Sequence, residues 1–281
     1  MRKLAGQILF NRLIFPSSSA SSPLQPFNGD YGHGFLYEEL FSGDGCDLEF
    51  AARWCAKFPG PILDLAGGAG RLAIRLAEEQ HRVHLVDRSN TMLGMLRKKL
   101  AERAPHLRDQ IQICPMDMES MDLDREFTTI FSLNNGLEHP NLEMGILSTL
   151  RNVHRHLESQ GRFFVDVHNL EHLESNWHFQ RGAWHYTQDK KVNNLRYRVW
   201  SRTYPGKLES QTVCEHALSS DLNRFLLLKT TIHFFNEAQW TKLFEVAGFK
   251  VESVWGDWKQ SPVDKQLPKL AYCLKKRGCT V

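Results

Sequence analysis

An α/β fold built on a mainly parallel sheet is what this sequence predicts, and three observations carry the prediction. Pro61–Leu65 reads as a short buried strand, Ala66-Gly67-Gly68-Ala69-Gly70 strips side chains from the turn that follows, and Arg71–Gln80 sets Leu72, Ile74, Leu76 and Ala77 on roughly one helical face. The alternation of strand and helix then repeats as far as His168 and resumes at Glu237. Three acids, Asp64, Asp87 and Asp117, fall at or near successive strand ends. In an open parallel sheet these ends line the edge where ligands bind.

The elements follow in order. Before the glycine turn, Phe35–Phe41 and Asp47–Phe58 read as helices, the second capped by Asp47. After it, Arg82–Asp87 is a second strand, and Asn90 caps a helix to about Arg103 with Met92, Leu93, Leu96 and Leu100 as its inner stripe. Gln110–Cys114 and Phe127–Leu133 are the third and fourth strands, and a helix runs from Leu142 to Glu158. A turn at Ser159-Gln160-Gly161 leads into the hydrophobic fifth strand, Arg162–His168. From Leu170 to Phe235 the alternation stops. Arg196–Arg202 has period two, Tyr204–Lys207 marks a turn, and Glu209–Leu218 and Arg224–Phe234 read as strands, so an antiparallel sheet is inserted here. The helix Glu237–Ala247, closed by Gly248, and the strands Phe249–Trp255 and Lys269–Lys275 bring the main sheet to seven. The domain boundaries expected are a leader over 1–29, a first part over 30–169, the insertion over 170–236 and the closing part over 237–281.

Composition sets bounds on partners and compartment. With 281 residues, 42% hydrophobic and 24% charged, the chain is of the ordinary globular class, one domain with an elaboration. A net charge of +3 without a dense basic run does not point to a nucleic-acid partner. No stretch approaches the roughly 18 apolar residues that span a bilayer, so no membrane partner is expected. Six scattered cysteines with no C-x-x-C pair fit reduced thiols and a cytoplasmic location. The first 29 residues carry Arg2, Lys3 and Arg12 but no acid, then a serine-rich run, Ser17–Ser22. That composition resembles a transit peptide, which makes an organelle the alternative and a flexible leader the plainer reading.

Two ligand classes use a strand, glycine turn and helix. Gly68–Ala73 satisfies the loose dinucleotide pattern, with Asp87 about 20 residues on as a ribose acid. An acid inside the first strand, at Asp64, is no part of that pattern. The run Asp64-Leu-Ala-Gly-Gly-Ala-Gly-Arg71 instead resembles the first motif of the class I S-adenosylmethionine-dependent methyltransferases, in which an acid precedes a G-x-G-x-G loop. Ala66 stands where that family usually has its first glycine. Phe244-x-x-Ala-Gly-Phe-x-Val-Glu-x-Val-Trp-Gly-Asp-Trp258, followed by Ser261-Pro262, resembles the C-terminal part of small-molecule methyltransferases, and the resemblance covers about residues 31–276. It implies a Rossmann-like seven-stranded sheet and S-adenosyl-L-methionine as cofactor. It also implies cofactor contacts from Asp64, Ala66, Gly67, Gly68, Gly70, Asp87, Arg88, Met92, Asp117, Met118, Leu133 and Asn134, with Asp87 on the ribose hydroxyls and Asp117 on the adenine amine.

The methyl acceptor should meet the cofactor near Asn134–Pro140. The Asn/Asp-Pro-Pro-aromatic signature of enzymes acting on macromolecular amide or base nitrogens is missing there, which favours a small-molecule acceptor. Asn135 and His168 are the candidate catalytic residues. Imidazole titrates near pH ~6.5, and one at a strand end could take a proton from an amine or hydroxyl. His168 and His172 have the spacing of a helical metal pair, but no third ligand is indicated and no metal is expected. Tyr37, His139, Asn169, Trp184, Arg198 and Trp258 are the expected acceptor contacts. The inserted sheet is expected to supply some of these, or else a homodimer surface. The readings from other classes are a methyltransferase-like protein that binds cofactor or a partner without catalysis and, on the dinucleotide pattern, an NAD(P)-dependent oxidoreductase.

Overall fold

The structure is a computed structural model that describes residues 26–28, 38, 40, 43, 45–140, 143–175, 182–192, 194–206, 211–220 and 225–278. Tyr37 and most of the helix expected over 35–41 lie outside the described residues. The elements are β1 (Pro26–Asn28), α1 (Cys46–Lys57), β2 (Ile62–Leu65), α2 (Arg71–Glu78), β3 (Val83–Asp87), α3 (Asn90–Glu102), β4 (Ile111–Pro115), β5 (Phe127–Ser132), α4 (Glu143–His156), β6 (Leu157–His168), α5 (Leu170–Ser175), β7 (His185–Val192), β8 (Leu195–Pro205), β9 (Gln211–Ser220), β10 (Phe225–His233), α6 (Glu237–Val246), β11 (Phe249–Trp255) and β12 (Lys269–Lys276). Short 3-10 turns cover Pro105–Gln110 and Gly136–Glu138.

Seven strands form one sheet in the order β11-β12-β6-β5-β2-β3-β4. The pairs β2/β3, β2/β5, β3/β4 and β5/β6 are parallel, whereas β12 runs antiparallel to both β6 and β11. Parallel strands must be covered on both faces, and the side-chain period of two shows how. Leu63, Leu65, Phe163, Val165 and Val167 pack with Ile146, Leu150 and Val153 of α4 and Trp240 and Phe244 of α6. Ile62, Leu85, Phe131 and Phe164 pack with Phe50 of α1, Leu72 and Leu76 of α2, and Leu93 and Leu96 of α3. On that second face the rings of Phe131 and Phe164 stack at 5.3 Å, and Phe50 meets Phe164 edge-on at 5.1 Å.

The chain divides into two compact units, His33–Leu173 with His233–Val281, and Met1–Gly32 with Glu174–Ile232. The second holds a sheet in the order β1-β10-β9-β8-β7, with β7/β8 and β8/β9 antiparallel. Two of its strands escape the sequence reading. β7 has charged and polar residues on both faces, which hides the alternation. β1 belongs to the segment read as a leader, yet Pro26–Asn28 pair in parallel with Leu227–Lys229 of β10.

Three local expectations are corrected. Asp47 does not cap α1, which begins at Cys46 after Gly45; its carboxylate instead receives both terminal nitrogens of Arg71. Ser89, not Asn90, caps α3, its hydroxyl accepting the Met92 N–H at 3.3 Å. Ser159–Gly161 is part of β6 and not a turn before it. The pairing with β5 jumps from Phe127↔Leu157 to Thr129↔Arg162, so the extra residues bulge within a continuous strand.

Asp64 is 2% exposed, on the face that carries Ile62. Burial pushes its carboxyl from the ordinary 3.8 up to about 7, against the opposing pull of Arg71 and the Ala73 N–H. Between those two values the folded chain holds a proton that the unfolded chain has released, so Asp64 withdraws stability as pH rises through this window. Asp64→Asn, which keeps a neutral acceptor, should lose less stability than wild type over the same rise. Urea unfolding across the window checks this; parallel pH dependences in the two proteins would contradict it.

Candidate active site

The site begins with a turn that has no room for side chains. A Cβ on Gly67 would stand 2.7 Å from the Asp64 carboxylate, and one on Gly70 would stand 2.4 Å from Leu96 Cδ1. Gly70 also has φ 78°, a left-handed value that costs an L-residue about 1–2 kcal/mol. Ala66, the departure noted in the motif, adopts φ 57° itself. Its methyl faces Gly136, where a second Cβ would come within 3.0 Å. The strain of a left-handed alanine is therefore tolerated because the chain opposite is bare.

Two aspartates hold this turn. Asp64 Oδ2 accepts the Ala73 N–H at 3.2 Å from beneath α2. Asp87, at the end of the neighbouring strand, accepts the Gly68 N–H on Oδ2 at 2.8 Å and the Ser89 N–H on Oδ1 at 2.7 Å. Burial raises the Asp87 carboxyl above its ordinary range, and those two N–H groups pull against the rise. Each oxygen keeps a free lone pair. Met92 lies against the loop, its Cε 3.1 Å from where a Gly68 Cβ would be, and Met118 and Leu133 are buried nearby in the sheet's two cores. Asp117 pairs with Arg88 at 3.1 Å and accepts the Glu119 N–H at 2.9 Å. Lys99 joins the turn from α3, its ammonium reaching the Ala69 carbonyl at 3.2 Å while pairing with Glu38.

A second group of residues gathers at the ends of β5 and β6. Asn134 and Asn135 both have positive φ, 58° and 63°, which an asparagine adopts more readily than most residues. The reversed backbone sends the Asn135 N–H to Asp166 Oδ1 at 2.7 Å. Asp166 is buried, and its other oxygen receives the Trp258 indole N–H at 2.8 Å and the Lys269 ammonium at 3.0 Å. Burial alone would raise this carboxyl, but Lys269, the Asn135 N–H and Trp258 together hold it below the usual range. His168 ends β6, with Nε2 3.3 Å from Asn135 Nδ2 and Nδ1 2.5 Å from Glu138 Oε2. Burial, then the nearby His168 and Arg88, pulls His139 down to about 4, so it stands neutral at neutral pH.

The first-unit residues read from the sequence therefore sort into two groups at adjacent strand ends. Asp64, Ala66, Gly67, Gly68, Gly70, Asp87 and Met92 come together at the turn, and Asn134, Asn135, His139 and His168 come together past β5. Two expected acceptor contacts are placed differently. Trp258 is 4% exposed and packs on Phe50 with ring centroids 4.9 Å apart, because its indole N–H is drawn to Asp166. Asn169 is buried with its amide donating to the Asp264 and Leu267 carbonyls, so it secures the connection before β12. His172 Nδ1 meets the Lys265 carbonyl at 3.0 Å. In the other unit, Trp184 covers the Arg202 guanidinium at 4.5 Å and Arg198 is exposed on β8. Glu138 and Asp166 were missed. The signal available was their sequence position, Glu138 within the segment after β5 and Asp166 as an acid inside an otherwise apolar strand.

Comparison with known proteins bears on the fold and on one stretch of the chain. Residues 62–161 match the family described as "Methyltransferase domain". The putative methyltransferase YqeM of Bacillus subtilis (strain 168) is 31% identical over 142 residues, 49% of this chain and 55% of the relative. The match thus spans about half of that relative's length. The cypemycin N-terminal methyltransferase of a Streptomyces species is 27% identical over 228 residues, 77% of this chain and 83% of the relative. Among solved structures, the CcbJ methyltransferase of Streptomyces caelestis superposes with a TM-score of 0.74 at 19% identity, covering 91% of this chain and 95% of that one. The S-adenosylmethionine-bound amino pentose methyltransferase CalS10 of Micromonospora echinaspora superposes at 0.62 and 16% identity, covering 88% and 99%. Residues 62–161 thus carry the match to a methyltransferase domain, and the chain shares the fold of these solved methyltransferases.

Proposed function

We propose that the protein transfers a methyl group from S-adenosylmethionine to an amine or hydroxyl of a small molecule. The observation that carries this reading is the Asp87 carboxylate beside the bare Gly67–Gly70 backbone. A ribose diol needs two acceptors, and Asp87 offers one free lone pair on each oxygen while its N–H partners fix its orientation. Asp117 with Arg88 would receive the adenine, and Met92 would pack on it. The bound cofactor supplies an electrophilic methyl carbon on a sulfonium.

What remains for the chain is to hold the acceptor in line, at roughly 3–3.5 Å, and to keep water out. Asn135 and His168 are the residues suited to orient a nucleophile and to receive its proton, and neutral His139 adds no competing positive charge. The names of the relatives, a cypemycin N-terminal methyltransferase and an amino pentose methyltransferase, support an amine. The sheet of β7–β10 is assigned the choice of acceptor, since every residue assigned to the cofactor lies in the other unit.

Calorimetry should show S-adenosylhomocysteine binding at micromolar concentration and no binding of NAD or NADP; the reverse would sink the proposal. Asp87→Asn should weaken that binding tenfold or more, about 1.4 kcal/mol. The asparagine is preferred to alanine because its Oδ1 keeps one of the Gly68 and Ser89 N–H groups paired, whereas alanine would leave both unpaired at about 1–3 kcal/mol each. Unchanged affinity in the folded variant would place the ribose elsewhere. The double change Trp184→Ala with Arg198→Ala should impair transfer to the acceptor and leave S-adenosylhomocysteine affinity within about threefold, below roughly 0.7 kcal/mol. Lost cofactor binding would overturn that division, and a shift in oligomeric state with normal transfer would make the sheet a subunit surface.

A further inference from the structure

Glu138 is 0% exposed, and both of its oxygens face one residue. Oε1 accepts the His168 main-chain N–H at 2.8 Å, and Oε2 lies 2.5 Å from His168 Nδ1. The two residues come from neighbouring parallel strands, Glu138 from the 3-10 turn after β5 and His168 from the last position of β6. A buried carboxylate is costly, and an apolar side chain would fill the same space. Its value here is chemical, because an ionised carboxylate only accepts.

The consequence falls on the imidazole. Facing a carboxylate, Nδ1 must carry the proton, which leaves the lone pair of neutral His168 on Nε2. Nε2 points toward Asn135, whose Nδ2 stands 3.3 Å away and donates to it. The Phe234 ring meets the imidazole edge-on at 5.2 Å. Thus the ring is gripped at Nδ1 and along its edge, while the side chain as a whole remains 28% exposed. Asn135 is itself fixed through its N–H to Asp166, and its Oδ1 is buried without a hydrogen-bond partner among the described residues.

We propose that Glu138 is a positioning residue that locks His168 in the Nδ1–H form, so that Nε2 is the proton acceptor for the incoming nucleophile. This rests on the methyl-transfer reading above. The nucleophile's lone pair forms the new bond to the methyl carbon, and the C–S pair returns to sulfur. The N–H or O–H proton passes to Nε2, whose one lone pair the Asn135 amide releases as the nucleophile takes its place. The resulting imidazolium keeps its Nδ1–H on Glu138, whose charge balances it.

Glu138→Gln makes a specific demand on the ring. The His168 main-chain N–H can only donate, so it must take the amide oxygen, and the amide NH2 is left facing Nδ1. Two donors cannot face each other, so His168 should invert to the Nε2–H form, with Asn135 turning Oδ1 toward it. The test is a long-range proton–nitrogen NMR spectrum of nitrogen-15-labelled protein at a pH where His168 is neutral, with its signals assigned by their loss in His168→Gln. Wild type should show Nδ1–H with a bare Nε2, Glu138→Gln should show the inverted pattern, and Glu138→Asp should restore the first. A wild type in the Nε2–H form overturns the proposal, and this measurement stands even if Glu138→Gln does not fold. So does an unchanged tautomer in folded Glu138→Gln. S-adenosylhomocysteine affinity should stay within about threefold in Glu138→Gln. A wild type that binds no S-adenosylhomocysteine would refute methyl transfer while leaving the tautomer result to decide the role of Glu138 in orienting the ring.

Discussion

The Asp87 carboxylate, accepting one N–H from the turn after β2 and another from the turn after β3, is the interaction on which the rest of the site depends. A loop without side chains has nothing of its own to hold it, and glycine has more backbone freedom to lose than any other residue. The register Asp64↔Leu85 and Leu65↔Val86 brings the two strand ends level, and the Gly67 N–H reaches the Val86 carbonyl at 3.2 Å. Asp64 then fastens the start of α2 from below. The bare backbone is thus set at one point of the sheet edge without a side chain standing in front of it.

The same principle recurs one strand away with different residues. Asp166 receives the Asn135 N–H as Asp87 receives that of Gly68, and Glu138 receives the His168 N–H. In each case a carboxylate near a strand end accepts a main-chain N–H from a neighbouring segment. Asp166 and Glu138, which are buried, are tolerable because donors meet both oxygens of each. Lys269 and Trp258 complete the set for Asp166, which is why a tryptophan expected at the acceptor lies in the core instead.

Much of this was legible in the sequence because period and glycine content are local signals. All seven strands of the main sheet, the bare turn and the acids at Asp64, Asp87 and Asp117 could be read from spacing alone. What could not be read depends on partners distant in the chain. Asp47 stands where a cap is expected, yet a guanidinium 24 residues on competes for its carboxylate and wins. Glu138 and His168 are 30 residues apart, and only the parallel pairing of β5 with β6 brings them together. Asn169 looked like a site residue by its strand-end position, but position at an edge does not say which way a side chain turns. β7 failed for a different reason: Thr187, Gln188, Asp189 and Lys190 carry no apolar alternation.

The central claim is that the Asp87 edge and the Asn135–His168 group serve one reaction. A crystal structure with S-adenosylhomocysteine bound measures this most directly. The account predicts both ribose hydroxyls on Asp87 and the sulfur directed toward Asn135 and His168. A ligand whose ribose misses Asp87, or whose sulfur points away from His168, would contradict it.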